Sequence, residues 1–246
     1  MAKSKAAGAR KRRRKSRNRT QSWSLRRWLV LGALALLAVP LGLILLYRFA
    51  NPPASTLMIG RYLKGEPVRQ TWVPIERISP HLVTAVVSNE DNRICLHSGV
   101  DWSAVEDAIE KAEKRGGHPR GASTIPMQTA KNLFLWPQRS YLRKAAEIPL
   151  AYVITATWPK RRVVEVYLNI AEWAPGVYGA EAAARHHFKK SARRITKREA
   201  ALLAASLPNP YVRHAGRAGP KTRKLARKIE RRMASASPYL TCIRSD

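Results

Sequence analysis

Residues 121–132 read GASTIPMQTAKN, a tight turn running into a helix. Ser123 is the expected N-cap, since its hydroxyl can accept from a free first-turn N–H. Pro126 then falls at the third helical position, where a missing N–H costs no intrahelical bond. Thr124, Gln128 and Lys131 follow at i, i+4 and i+7 and share one face. That face carries a hydroxyl, an amide and an ammonium beside a helix N-terminus, which already favours anions. It could hold a phosphate. It fits equally the solvated side of an ordinary amphipathic helix.

The helix runs on into Leu133-Phe134-Leu135-Trp136 before Pro137. Four large apolar residues in a row exceed what one face needs. They suit either the core or a membrane surface. Beyond them Arg139, Arg143 and Glu147 recur at i, i+4 and i+8. An exposed ion-pair ladder is one reading of that spacing. The other sets Arg139 beside Lys131 as a second cation for a diphosphate, with Glu147 as a second active-site carboxylate.

Upstream, Gly116-Gly117-His118-Pro119-Arg120 is a breaker loop. Trp102 to Arg115 is an amphipathic helix that Asp101 can cap. A further helix starts at Pro80 and ends in Glu90-Asp91-Asn92-Arg93, with His97 close behind. Two acids, an arginine and a histidine form either an acid/base site or a solvated helix end. Residues 51–80 read as a stalk and connecting loop with a short extended piece at Thr71–Val73.

Downstream, helices are expected from Lys160 to Ile170, Ala180 to Phe188, Lys197 to Ser206 and Pro220 to about Ala234. Glu165 and Asn169 share a face of the first. No sustained alternation announces a sheet. The region is mostly α, near 200 residues, and large enough to bury its own core.

The formal net charge is +30 over 246 residues. Residues 1–27 hold twelve Lys and Arg and no acid, leaving 34 basic and 16 acidic residues, a surplus of 18. Alone, such an arm suggests nucleic acid. Trp28 to Tyr47 changes that, because these twenty residues are uncharged and match the ~30 Å hydrocarbon core of a bilayer. The run is too long and too poorly followed for a cleaved signal peptide. An uncleaved anchor leaves the basic arm in the cytoplasm against anionic lipid, with no call for nucleic acid, and carries all that follows outside. Cys95 and Cys242 are far apart in sequence, the second in a terminal tail, so no disulfide is expected. No Cys/His cluster has zinc spacing. The expected organisation is a basic cytoplasmic arm (1–27), a transmembrane helix (28–47), a stalk (48–72) and a catalytic domain (73–246).

Four motifs in order resemble the peptidoglycan glycosyltransferases of family 51, from about Val73 to Pro210. Glu90, Asp91, His97 and Gly99 match the first. Gly121, Ser123, Thr124, Ile125, Gln128, Lys131 and Asn132 match the second. Arg143, Lys144 and Glu147 match the third, and Glu165, Tyr167, Leu168 and Asn169 the fourth. Ile94 stands where the family usually has Phe, and Met127 where it often has Gln. The resemblance implies a lysozyme-like helical domain with a smaller membrane-facing lobe, and no transpeptidase half. It implies polymerisation of lipid II into β-1,4-linked strands on the outer face of the cell (inner) membrane, with release of undecaprenyl diphosphate. Glu90 would be the base, with Glu147 the second carboxylate. Lys131, Arg139, Arg143, Ser123, Gln128 and Thr124 would bind the diphosphate or sugars. Asp91, His97, Asn132, Glu165 and Asn169 complete the motifs. Partners would be lipid II, the nascent strand, membrane lipids and other wall-synthesis or division proteins. No cofactor is required, though a diphosphate can recruit Mg or Mn, whose ligands the sequence does not name. Two rivals remain: a lytic glycosidase of the same fold, and a non-enzymatic binder of anionic wall polymer.

Overall fold

The computed structural model describes residues 27, 28, 30–32, 35, 38–119, 121–138, 140–235 and 240–244. They fall into two compact units, residues 1–46 and 47–246. In the first, residues 38–46 are helical. Residues 29, 33, 34, 36 and 37 of the expected anchor, and the arm up to residue 26, lie outside the described residues. No helix among the described residues is long and apolar enough to cross a membrane.

The second unit is built from ten helices among the described residues: α1 (Thr56–Tyr62), α2 (Pro80–Glu90), α3 (Trp102–Arg115), α4 (Ile125–Phe134), α5 (Tyr141–Thr157), α6 (Lys160–Ile170), α7 (Ala180–Phe188), α8 (Lys197–Ser206), α9 (Pro220–Ser235) and α10 (Thr241–Arg244). A small sheet of β1 (Arg69–Gln70), β2 (Glu172–Ala174) and β3 (Val177–Tyr178) has the order β1-β3-β2. The domain is mostly helical, as its periodicity requires. The stretch read as a stalk contains α1, whose Ser55 caps Met58 and whose Met58 is buried. The extended piece lies at Arg69–Gln70 rather than 71–73.

Two helical layers position the site. In one, α2 packs against α8 and α9. Ala200, Ala201, Ala204 and Ala205 of α8 are fully buried, and such small side chains allow α2 close enough for Asn89 to donate to Ala204 O. In the other, α4 packs against α5 and α6. Leu133 and Leu135 take the core option, while Trp136 stays 40% exposed.

The start of α4 differs from expectation. Thr124, not Ser123, is the N-cap, so Pro126 is the second helical residue. The cause lies in Gly99, whose carbonyl takes the Thr124 hydroxyl at 2.5 Å and holds residue 124 at the boundary. Gly99 has φ 129°, and an added Cβ would stand 2.8 Å from the Ala151 backbone in α5. Only glycine meets both demands.

The structure also corrects the cysteines, since Cys95 and Cys242 form a disulfide with Cα atoms 5.7 Å apart. The tail is not free. Leu240 and Ile243 are buried, and Arg161 of α6 donates to Ile243 O at 3.0 Å.

Candidate active site

Glu90 is the last residue of α2. Its Oε1 accepts from Asn89 Nδ2 at 2.7 Å and its Oε2 from Gln128 Nε2 at 3.0 Å. Burial pushes the carboxyl pKa up. The two amide donors and the charge of Lys131 pull against that, while Asp91 adds to it. The result is a more basic carboxylate than a solvated one, kept ionisable by its donors.

Asp91 brings this carboxylate to α4. Its Oδ2 accepts from Ile125 N at 2.9 Å, and its Oδ1 faces His97 Nε2 at 2.8 Å. Gly99 N donates to His97 Nδ1 at 3.1 Å. The neutral ring therefore carries its proton on Nε2 and donates to Asp91. Lys160 fixes the same loop by donating to His97 O at 2.6 Å. Asp91 and His97 thus hold the end of α2 against the start of α4.

This arrangement uses the backbone donors that the α4 N-terminus could have offered to an anion. Ile125 N is taken by Asp91, Pro126 has no N–H, and Met127 N goes to Thr124 Oγ1. Gln128 N goes to Thr124 O. No first-turn donor is left over. The Thr124 hydroxyl serves Gly99 and the cap. Gln128, expected to bind substrate, donates from Nε2 to Glu90 and accepts at Oε1 from the Tyr167 hydroxyl at 2.8 Å. The cations near this helix are side chains, namely Lys131, Arg143 and Lys144.

The Lys131 ammonium makes no hydrogen bond or ion pair with the described residues, while its backbone carbonyl accepts from Leu135 N at 3.2 Å. Burial pushes its pKa down. Glu147 opposes that most strongly, Arg143 and Lys144 add to it, and Glu90 opposes it. Glu90 is thus one of the charges that act on Lys131. The Arg143–Glu147 pair is buried, not an exposed ladder, with Glu147 only 3% exposed. Glu147 also accepts from Lys144 Nζ at 2.9 Å, and Lys144 donates to Ser123 Oγ at 2.6 Å. Arg143 Nε donates to Gln138 O at 2.9 Å. With each oxygen on a cation, Glu147 is poorly placed to act as a base and well placed to orient Arg143 and Lys144. Arg139 lies outside the described residues.

Glu165 and Asn169 do not join this group. Glu165 pairs with Arg162 and accepts from Ile75 N, while Asn169 exchanges two hydrogen bonds with the Val73 backbone. They bind residues 73–75 to α6. Asn132 is buried, its Oδ1 lacks a hydrogen-bond partner among the described residues, and its carbonyl accepts from Thr56 Oγ1. Three residues left out of the expected site belong to it: Asn89, Lys144 and Tyr167. Lys144 and Tyr167 sit inside the quoted motifs, which was the available signal. Asn89 had none beyond adjacency to Glu90.

A cavity of about 420 Å³ opens beside Glu90, with Asn89, Ser123, Asp107, Lys111 and Arg232 among its walls. Among the described residues no three His, Cys, Asp or Glu side chains converge as metal ligands.

A transglycosylase family model matches residues 56–234, which span α1 to α9 and every residue of the site described above. The chain belongs to the transglycosylase family. It is 55% identical over 206 residues to a biosynthetic peptidoglycan transglycosylase of Rhodospirillum centenum, covering 83% of this chain and 88% of the relative. A protein of the same description from Agrobacterium fabrum is 48% identical over 221 residues, 89% of this chain and 97% of its own. One from Brucella suis is 47% identical over 224 residues, 90% of this chain and all of the relative. The transglycosylase Glu90 and Lys131 come from α2 and α4, which lie in different layers. Asp91 is the staple between them.

Proposed function

We propose that this transglycosylase polymerises lipid II into β-1,4-linked glycan strands for the cell wall and releases undecaprenyl diphosphate. The observation that carries the reading is a half-buried carboxylate, Glu90, held by the amides of Asn89 and Gln128, with the half-buried ammonium of Lys131 acting on it and the cations Arg143 and Lys144 acting on Lys131 in turn. A sugar 4-hydroxyl is a poor nucleophile and needs a base. Glu90 takes its proton as the oxygen attacks the anomeric carbon of the growing strand. The bond to the diphosphate breaks, and its electron pair leaves with the diphosphate. Attack from the face opposite that leaving group turns an α link into a β link. Lys131, Arg143 and Lys144 stabilise the departing charge, and Arg139 is assigned to the same task from its spacing of four residues before Arg143. Glu147 keeps Arg143 and Lys144 in place.

The proposed site of action is the outer face of the cell membrane, with residues 28–47 as a single anchor and residues 1–27 in the cytoplasm. Three observations support it: the uncharged twenty-residue run, a disulfide suited to an oxidising compartment, and exposed Tyr141 and Leu142 close to Trp136 in sequence. Tethering fits a substrate and product that are both lipid-linked.

Incubation with lipid II tests the chemistry. Long glycan product is expected, and Glu90→Gln abolishes it while leaving lipid II binding intact. Cleavage of preformed strands in place of polymerisation would refute the reading.

A further inference from the structure

Tyr167 lies in the middle of α6 with 1% of its surface exposed. Such a residue normally only fills the core, yet its hydroxyl ends on the amide that touches Glu90. The chain of donors runs one way. An ionised carboxylate only accepts, so it selects the Nε2 end of Gln128. Gln128 then turns its carbonyl oxygen inward, where a buried acceptor needs a donor. The Tyr167 hydroxyl supplies it at 2.8 Å. Burial and the charges of Glu90 and Asp91 push the phenol pKa far up, so Tyr167 remains a neutral donor wherever the enzyme works.

We propose that Tyr167 is a positioning residue: its hydroxyl fixes the Gln128 amide in the orientation that donates to Glu90, and so holds the carboxylate ready to take the acceptor's proton. The proposal rests on the reading of Glu90 as the base. Without the hydroxyl, the Gln128 amide is free to turn and present oxygen to Glu90. That arrangement repels the ionised carboxylate and welcomes the protonated one. The base then holds its proton to higher pH. The other groups facing Glu90 stay as they are. Asp91 flanks it on its own helix, and Lys131 comes from α4. Arg143, Lys144 and Glu147 of α5 act on Lys131, while Asp101, Asp107 and Lys111 and, from α9, Arg232 line the adjoining cavity.

The experiment is the pH dependence of kcat and KM for lipid II with the full chain and its Tyr167→Phe variant. The acidic limb of kcat moves up by about one pH unit, giving a roughly tenfold loss below it and near-normal turnover above it. KM stays within about twofold. Gln128→Ala, which leaves the buried ring intact, shifts the limb the same way, and adding Tyr167→Phe to it shifts the limb no further. A loss equal at all pH, a wild-type limb in Gln128→Ala, or a further shift in the double variant overturns the proposal. Glu90→Gln separates the two readings. If it retains turnover, the base assignment falls first. If it is inactive while Tyr167→Phe loses activity evenly across pH, only the role of Tyr167 falls.

Discussion

Replacing Cys242 with Ser opens the Cys95–Cys242 disulfide, which joins positions 147 residues apart. Cross-linking a loop of that length removes about 17 cal/mol/K of denatured-chain entropy, or ~5 kcal/mol at 25 °C. The domain spans residues 47–246. At about 2.1 cal/mol/K of unfolding entropy per residue, a loss of that size lowers the melting temperature by about 12 °C. Buried Leu240 and Ile243 and the Arg161–Ile243 hydrogen bond still dock α10, so the native state keeps its shape and the loss is carried by the unfolded chain. The assay is thermal unfolding by circular dichroism, with and without dithiothreitol. Dithiothreitol should lower the wild-type midpoint to that of Cys242→Ser and leave the variant unchanged. A shift below about 2 °C, or a variant still sensitive to reductant, would refute the claim that this bond constrains the domain.

Lys131→Ala should cut turnover by roughly a hundredfold, as for other lost donors to a developing charge, with acceptor KM little changed; an unaltered kcat removes it from the site. Glu90→Gln should be more stable than wild type at neutral pH. The native carboxyl holds its proton more tightly than the unfolded one, so stability falls as pH rises through the raised native pKa, and the amide escapes that cost. Below the ordinary carboxylate range the two proteins should melt alike, and a less stable variant at pH 7 contradicts the sign. Gly99→Ala should destabilise by about 2 kcal/mol or more, because the new Cβ meets Ala151 backbone at 2.8 Å on a left-handed φ; an unchanged melting curve would mean that the contact yields freely.

Much of the helical framework was legible because its boundaries are set locally. Pro80 at the start of α2, Asp101 capping α3 and the Gly179 turn before α7 all act within a few residues of themselves. The start of α4 was misread by one residue, since Ser123 and Thr124 are both good caps. What chooses between them is the carbonyl of Gly99, which is 25 positions away. The same limit hid the disulfide, the burial of Glu147, and Asp91 occupying the amide that looked free for a phosphate.

By itself, then, the sequence determined the order of helices and the family, because periodicity, caps and motif spacing are properties of neighbouring residues. Only the tertiary structure decided which partners the polar side chains of the motifs have. Gln128 donates to the Glu90 carboxylate, Glu147 accepts from Lys144 and pairs with Arg143, and Glu165 and Asn169 fasten a loop. A polar side chain's role is set by which partner satisfies it once water is excluded, and those partners come from elements far along the chain.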